Sequence, residues 1–257
     1  MRKRRIVIAI AVCLFAAVVL GGALLSGSAS RIDDAHWTGA PIPPCFVDRS
    51  ACAGHVLGTD NEGRDELARL VAGTRTSLLV SLAALAVEFA VMWILAAACR
   101  SASGAVRDGV LRVAAALASF PVWPFLFLAL QDVVGLNRGA PAKLGTIVVL
   151  AGVLFAVRRL VPTLEEASSL SWQRAVSDWG AMILVLATID FFGLGVFPPA
   201  ASLGNMLFAF WRFLNAAWWA AVFPAIALFV LALALSLASR VSSEDSGYGK
   251  QTKNYQP

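Results

Sequence analysis

Of the 257 residues, 59% are hydrophobic and only 14% charged, against about 25% charged in a soluble domain. An ordinary water-soluble fold is excluded, and the composition marks an integral membrane protein. The formal net charge of +5 belongs to Lys and Arg gathered in short loops; no basic, aromatic-interleaved groove signals nucleic-acid binding.

The chain opens on MRKRRIVIAIAVCLFAAVVLGGALLSGSAS, a basic start before an apolar run of about 20 residues. The run is longer than the core of a usual signal peptide and further spans follow. Residues 1–30 therefore read as an uncleaved first transmembrane helix. Windows of about 19 residues predict roughly six spans, near 6–26, 77–99, 110–130, 144–161, 179–196 and 216–239. At 1.5 Å per residue each crosses or nearly crosses about 30 Å of hydrocarbon. Backbone polar groups in lipid must be satisfied internally, so these are helices, and the alternation expected of barrel strands is absent. The expected fold is all-α and polytopic: the first helix, an extracytoplasmic loop with an interfacial helix over 31–76, a transmembrane core over 77–240, and a polar tail over 241–257 without regular structure.

Most of the 21 Lys and Arg residues lie in the N-terminus (Arg2 to Arg5), the loops after the second and fourth spans (Arg100, Arg107, Arg158, Arg159, Arg174) and the tail. That bias puts both termini in the cytoplasm and 31–76 outside. Cys45 and Cys52 lie in this outer segment, either bridged, as an oxidising compartment favours, or as two free thiols. A C-x6-C spacing with neither His nor a second cysteine pair is a poor zinc signal.

The most polar stretch is HVLGTDNEGRDELARLVAGTRTSL, His55 to Leu78. Gly58 and Gly63 suit a turn, and Asp60 or Asn61 can accept from nearby backbone N–H groups. Asp65 and Glu66 fall in a first helical turn, where the dipole favours negative charge. Leu67, Leu70 and Val71 give that helix an apolar stripe, which predicts a surface helix before the chain turns into the membrane near Thr76. Taken one by one, these residues read equally as a solvated structural cap.

Taken together they resemble a signature of the dipeptide/oligopeptide/nickel ABC importer permeases, the DppC/OppC-like branch, which reads H-x-L-G-T-D-x-x-G-R-D-x-x-x-R-L-x-x-G-x-R-x-S-L. The chain matches at His55, Leu57, Gly58, Thr59, Asp60, Gly63, Arg64, Asp65, Arg69, Leu70, Gly73, Arg75, Ser77 and Leu78. FFGLGVFPPAASLGNML (Phe191–Leu207) and AAWWAAVFPAIALF (Ala216–Phe229) resemble two further family segments. The likeness implies a type I importer permease in a bacterial inner membrane. It would work with a second homologous permease, two cytoplasmic ATPases and an extracytoplasmic solute-binding protein, holding no cofactor and performing no catalysis itself.

The family's coupling loop, E-A-A-x-x-x-G with a later L-P, is abbreviated here. Arg158 to Asp178 holds only EEA at Glu165–Ala167, Trp172 falls near the expected glycine, and no L-P follows. Thr163 and Glu166 form a T-x-x-E capping box, predicting a short helix from Leu164 to Val176 that presents Glu165, Glu166, Leu170 and Trp172 to an ATPase. Two further departures are Leu186, where the family often has an acid, and Ala115, in place of an aspartate. They support an alternative, a permease-derived scaffold or regulator without ATPase coupling. Glu88, mid-span, either lines the pathway or bonds to a neighbouring helix as a protonated acid. A secondary transporter is disfavoured, because intramembrane charges are few and no inverted repeat is evident. The sequence GYGKQT is not a phosphate loop, since Glu244 occupies its first glycine position.

Overall fold

The computed structural model describes residues 17–33, 40–119, 140–165, 172–210 and 217–251, with side chains over 17–33, 40–116, 144–160, 174–208 and 217–239. Within them are seven helices: α1 Ala17–Ala29, α2 Glu66–Ser101, α3 Gly104–Ser119, α4 Ala140–Glu165, α5 Trp172–Phe191, α6 Leu203–Phe210 and α7 Trp219–Gln251. No strand occurs among the described residues. The described residues hold isolated antiparallel bridges, Ile32 with Arg64 and Thr59 with Asp65. Two described helices are long and apolar enough to cross a membrane, α2 and the Trp219–Ser239 part of α7.

The expected span 77–99 lies inside α2 and 144–161 inside α4. The span expected over 110–130 begins in α3, and its second half lies outside the described residues. The fifth ends early, at Phe191, and residues 192–196 form a turn.

Two expectations are corrected. No surface helix ends near Thr76: α2 runs unbroken for 36 residues. The hydroxyls of Thr74 and Thr76 donate back to the carbonyls of Leu70 and Ala72, at 2.7 and 3.0 Å, so the polar residues are satisfied without leaving the helix. The tail is likewise helical as far as Gln251, because extending an existing helix avoids the cost of nucleating one.

The chain divides into two compact units. The first comprises Met1–Leu79 and Ala187–Phe229 and the second Val80–Leu186 and Val230–Pro257. In the first, α1 meets the start of α2 through small residues, with Ala29, Ala68 and Ala72 forming a buried cluster. Around the start of α7, Ala217, Trp219, Ala220 and Ala221 form another, backed by Phe223. Gly73 of α2 lets α6 approach, since a Cβ there would lie 3.1 Å from Met206 Sδ. Close packing through small residues suits helices in lipid, where burial of apolar surface gives little drive.

The second unit joins α2, α3 and α4 through Cys99, Ala114 and Leu160, flanked by Leu95, Leu111 and Val157. Gly152 of α4 faces Ala84 and Val87 of α2, at distances a Cβ would violate. Trp179 Nε1 donates to Ser81 Oγ at 2.9 Å.

Candidate functional site

The polar residues between His55 and Arg75 form a buried cap in the first unit. Its base is the turn at Gly58. Gly58 has φ +79, and a Cβ there would meet Ile42 O at 2.5 Å and Trp219 Nε1 at 2.9 Å; only glycine fits. Beside it Thr59 bonds Ile42 twice. Its N–H donates to Ile42 O at 3.0 Å, and its Oγ1 accepts from Ile42 N at 2.8 Å.

Asp60 is fully buried, so its charge must be met by donors. Its Oδ1 accepts from the N–H groups of Glu62 and Arg64 at 2.8 and 2.9 Å. Its Oδ2 accepts from Arg64 Nε at 2.6 Å and lies 3.1 Å from Arg69 Nε. Arg64 also pairs with Glu62, at 2.8 Å. Arg69, equally buried, donates from its other end to the carbonyls of Ala29 and Pro199, at 3.3 and 3.5 Å. The first of these is an otherwise open carbonyl at the C-terminus of α1, where a cation also suits the helix dipole. Arg69, paired with Asp60, thus ties α1, α2 and the loop after α5 together. Glu66 brings a second carboxylate into the same buried region, with no hydrogen-bond partner among the described residues.

Asp65 stands just before α2 and caps it, accepting from Ala68 N–H at 2.7 Å, which satisfies one of the four open donors of the first turn. Its other oxygen lies 2.7 Å from His55 Nδ1, and Asp33 Oδ2 lies 3.1 Å from His55 Nε2. Carboxylates only accept, so both contacts become hydrogen bonds when the imidazole is doubly protonated. Burial opposes that charge. The Asp65 and Asp33 hydrogen bonds and charges outweigh it and raise the His55 pKa above 6.5.

The loop from α5 to α6 completes the cap. Asp190 Oδ1 accepts from Val196 N–H at 2.9 Å, and Gly193, at φ +74, ends α5 in a left-handed turn. The Pro198–Pro199 bond is cis. Ser202 and Asn205 cap α6 reciprocally: Asn205 N–H donates to Ser202 Oγ at 3.2 Å, and Ser202 N–H donates to Asn205 Oδ1 at 2.9 Å. Asn205 Nδ2 also reaches the carbonyls of Val196 and Ala200, at 3.0 and 2.9 Å. Leu203 N–H donates to Ser77 Oγ at 3.1 Å. Ser77 belongs to the motif and Leu203 to the second family-like segment, so two stretches far apart in the chain bond directly.

No family model matches the chain, but curated relatives do. It is 28% identical over 220 residues to the dipeptide transport system permease protein DppC of Escherichia coli (strain K12), covering 76% of this chain and 73% of that protein. It is 25% identical over 228 residues to the di/tripeptide transport system permease protein DppC of Pseudomonas aeruginosa (strain UCBPP-PA14), covering 76% and 72%. These relatives bear out the resemblance to the DppC/OppC-like permeases. A permease of this kind is a transport subunit and not an enzyme.

The remaining expected residues of this permease lie elsewhere. Cys45 and Cys52 are joined as a disulfide, with Cα atoms 4.8 Å apart. Glu88 is fully buried in the second unit, neither oxygen having a hydrogen-bond partner among the described residues. The short helix expected from Leu164 to Val176 is not a separate element. α4 already runs through Glu165 and α5 begins at Trp172, so no new helix starts at the Thr163 capping box. Glu166 and Leu170 lie outside the described residues. Arg159 near the end of α4 is ion-paired with Asp178 near the start of α5. The role of Arg69 in joining three segments, the His55 bridge and the Asn205 stitching were missed; a motif match lists residue types without saying what they touch.

Proposed function

We propose that this chain is one permease half of a bacterial ABC importer for peptides or a related small solute, crossing the inner membrane about six times with both termini in the cytoplasm. It pairs with a second, homologous permease. Two cytoplasmic ATPases hydrolyse ATP, and an extracytoplasmic binding protein delivers the solute to the face carrying the cap. The observation that carries this reading is the cap itself: the motif residues Asp60, Arg64 and Arg69 meet in one buried, charge-paired cluster, in a chain whose relatives are peptide permeases. The cap holds the outer ends of α1, α2, α6 and α7 as one body, as alternating access by rigid-body rocking requires. Coupling to the ATPases falls to the Arg158–Asp178 segment, where α4 ends at Glu165, α5 begins at Trp172 and Arg159 pairs with Asp178.

The test is ATP hydrolysis by the complex purified in nanodiscs, with and without peptide-loaded binding protein. Stimulation is expected. An unchanged rate, with all subunits bound, overturns the reading.

A second reading, a permease-derived scaffold that has lost coupling, is favoured by the abbreviated coupling segment, which holds only EEA and no later L-P. It predicts a permease that assembles with its homologue but not with the ATPases.

A further inference from the structure

We infer that the disulfide-closed loop around Cys45–Cys52 is a membrane-interface anchor, its apolar side chains seated at the boundary between lipid headgroups and acyl chains, beside the start of α7. The inference rests on α7 spanning the bilayer, as proposed above.

The loop is unusual for a connecting segment because three of its exposed side chains are large and apolar. Phe46 is 62% exposed, Val47 50% and Val56 56%. The two limbs run side by side, Cys45 N–H donating to Val56 O at 3.4 Å, so these side chains belong to one small surface. Its backbone is suited to a medium poor in water. Val47 and Asp48 N–H groups both donate to Pro44 O. Asp48 Oδ1 accepts from the N–H groups of Ser50 and Ala51 and from the Ser50 hydroxyl. The turn therefore meets its own hydrogen-bonding needs, which lowers the cost of leaving bulk water.

Lipid is favoured over a protein partner because the patch continues the bare flank of a spanning helix. The Phe46 ring meets Phe223 edge to face, centroids 6.3 Å apart. Phe223 lies four residues into α7, about 6 Å along the axis from Trp219. Trp218 and Trp219 sit where aromatic side chains mark the headgroup level, and below them Val222, Ile226 and Phe229 are exposed, the surface acyl chains would cover. A depth of about 6 Å is that of an interfacial segment, which buries its apolar face about 5–10 Å. Asp48 and Arg49, also exposed, suit the polar side of the same boundary.

The experiment places a nitroxide at Val47, carried on p-acetylphenylalanine so that the cysteines stay untouched, in the full chain reconstituted in phosphatidylcholine/phosphatidylglycerol nanodiscs. Collision rates with oxygen and with a water-soluble nickel chelate are then measured. A second label at Phe229 serves as the acyl-chain reference, and free label in buffer as the aqueous one. The expected oxygen-to-nickel ratio at Val47 lies several-fold above the aqueous reference and below that at Phe229. A ratio equal to the aqueous reference overturns the anchor. Protection from both reagents also overturns it and assigns the patch to a protein partner. A Phe229 label that itself reads as aqueous refutes the spanning reading separately, whatever Val47 shows.

Discussion

Asp60 is the residue on which the cap depends most. Replacing it with Ala leaves the Arg64 and Arg69 guanidinium groups buried without their shared acceptor, and breaking a buried pair from one side costs about 3–5 kcal/mol. Asp60→Ala is expected to lower the unfolding midpoint of the purified permease in detergent markedly, whereas Glu62→Ala, which removes a half-exposed carboxylate from Arg64, moves it little. Equal midpoints for the two variants would show that the cluster is not what holds the cap. His55 makes a pH-dependent contribution. Its folded pKa is raised above 6.5, so the stability it adds is fully present below that value and is lost as pH rises through the raised pKa. Melting curves across this range should fall with rising pH in the native chain and flatten in His55→Gln; a native chain that gains stability through His55 as pH rises contradicts the assignment. The carboxylates were visible in the sequence as turn and cap formers, and Asp65 does cap α2. Their partners were not visible: Asp33 lies 22 residues from His55 and Pro199 lies 130 from Arg69, distances over which neither spacing nor propensity carries information.

Among the elements, α2 departs most from what periodicity implied. Charges and threonines before Leu78 suggested a surface helix and then a bend. The structure instead continues one helix, because threonine can return its hydroxyl to the carbonyl four residues back and Gly73 serves close packing against α6. A proline at Thr76 discriminates between the two geometries. Inside a continuous helix it removes a hydrogen bond and clashes with the preceding turn, costing about 3 kcal/mol; at a bend it would be tolerated. Thr76→Pro is therefore expected to reduce folded yield and thermal midpoint sharply, with Thr76→Ala nearly neutral as control. The same weakness of local reasoning explains why no separate helix begins at Thr163. A capping box at Thr163 marks a helix start only where no helix is already running, and α4 arrives there from Ala140. Apolar length, by contrast, was read more closely: 77–99 and 144–161 lie within helices, and the span expected over 216–239 is helical from Trp219 onward.

For the whole molecule, the expected orientation, with residues 31–76 on the outer side, rests on the positive-inside bias. Asn61→Cys is expected to react with an impermeant maleimide added to intact spheroplasts; protection until lysis would invert the topology and the importer reading with it. The disulfide bears on the order in which the permease is made. Its two cysteines are seven residues apart, so the ring can close as soon as that short piece of nascent chain meets an oxidising compartment, before α2 has left the ribosome's exit tunnel. The bond would then be the earliest covalent landmark in biogenesis, set while the downstream helices are still unmade. A chain held back on the reducing side would carry four titratable thiols instead of two, leaving a chemical record of failed export that a gel shift can read.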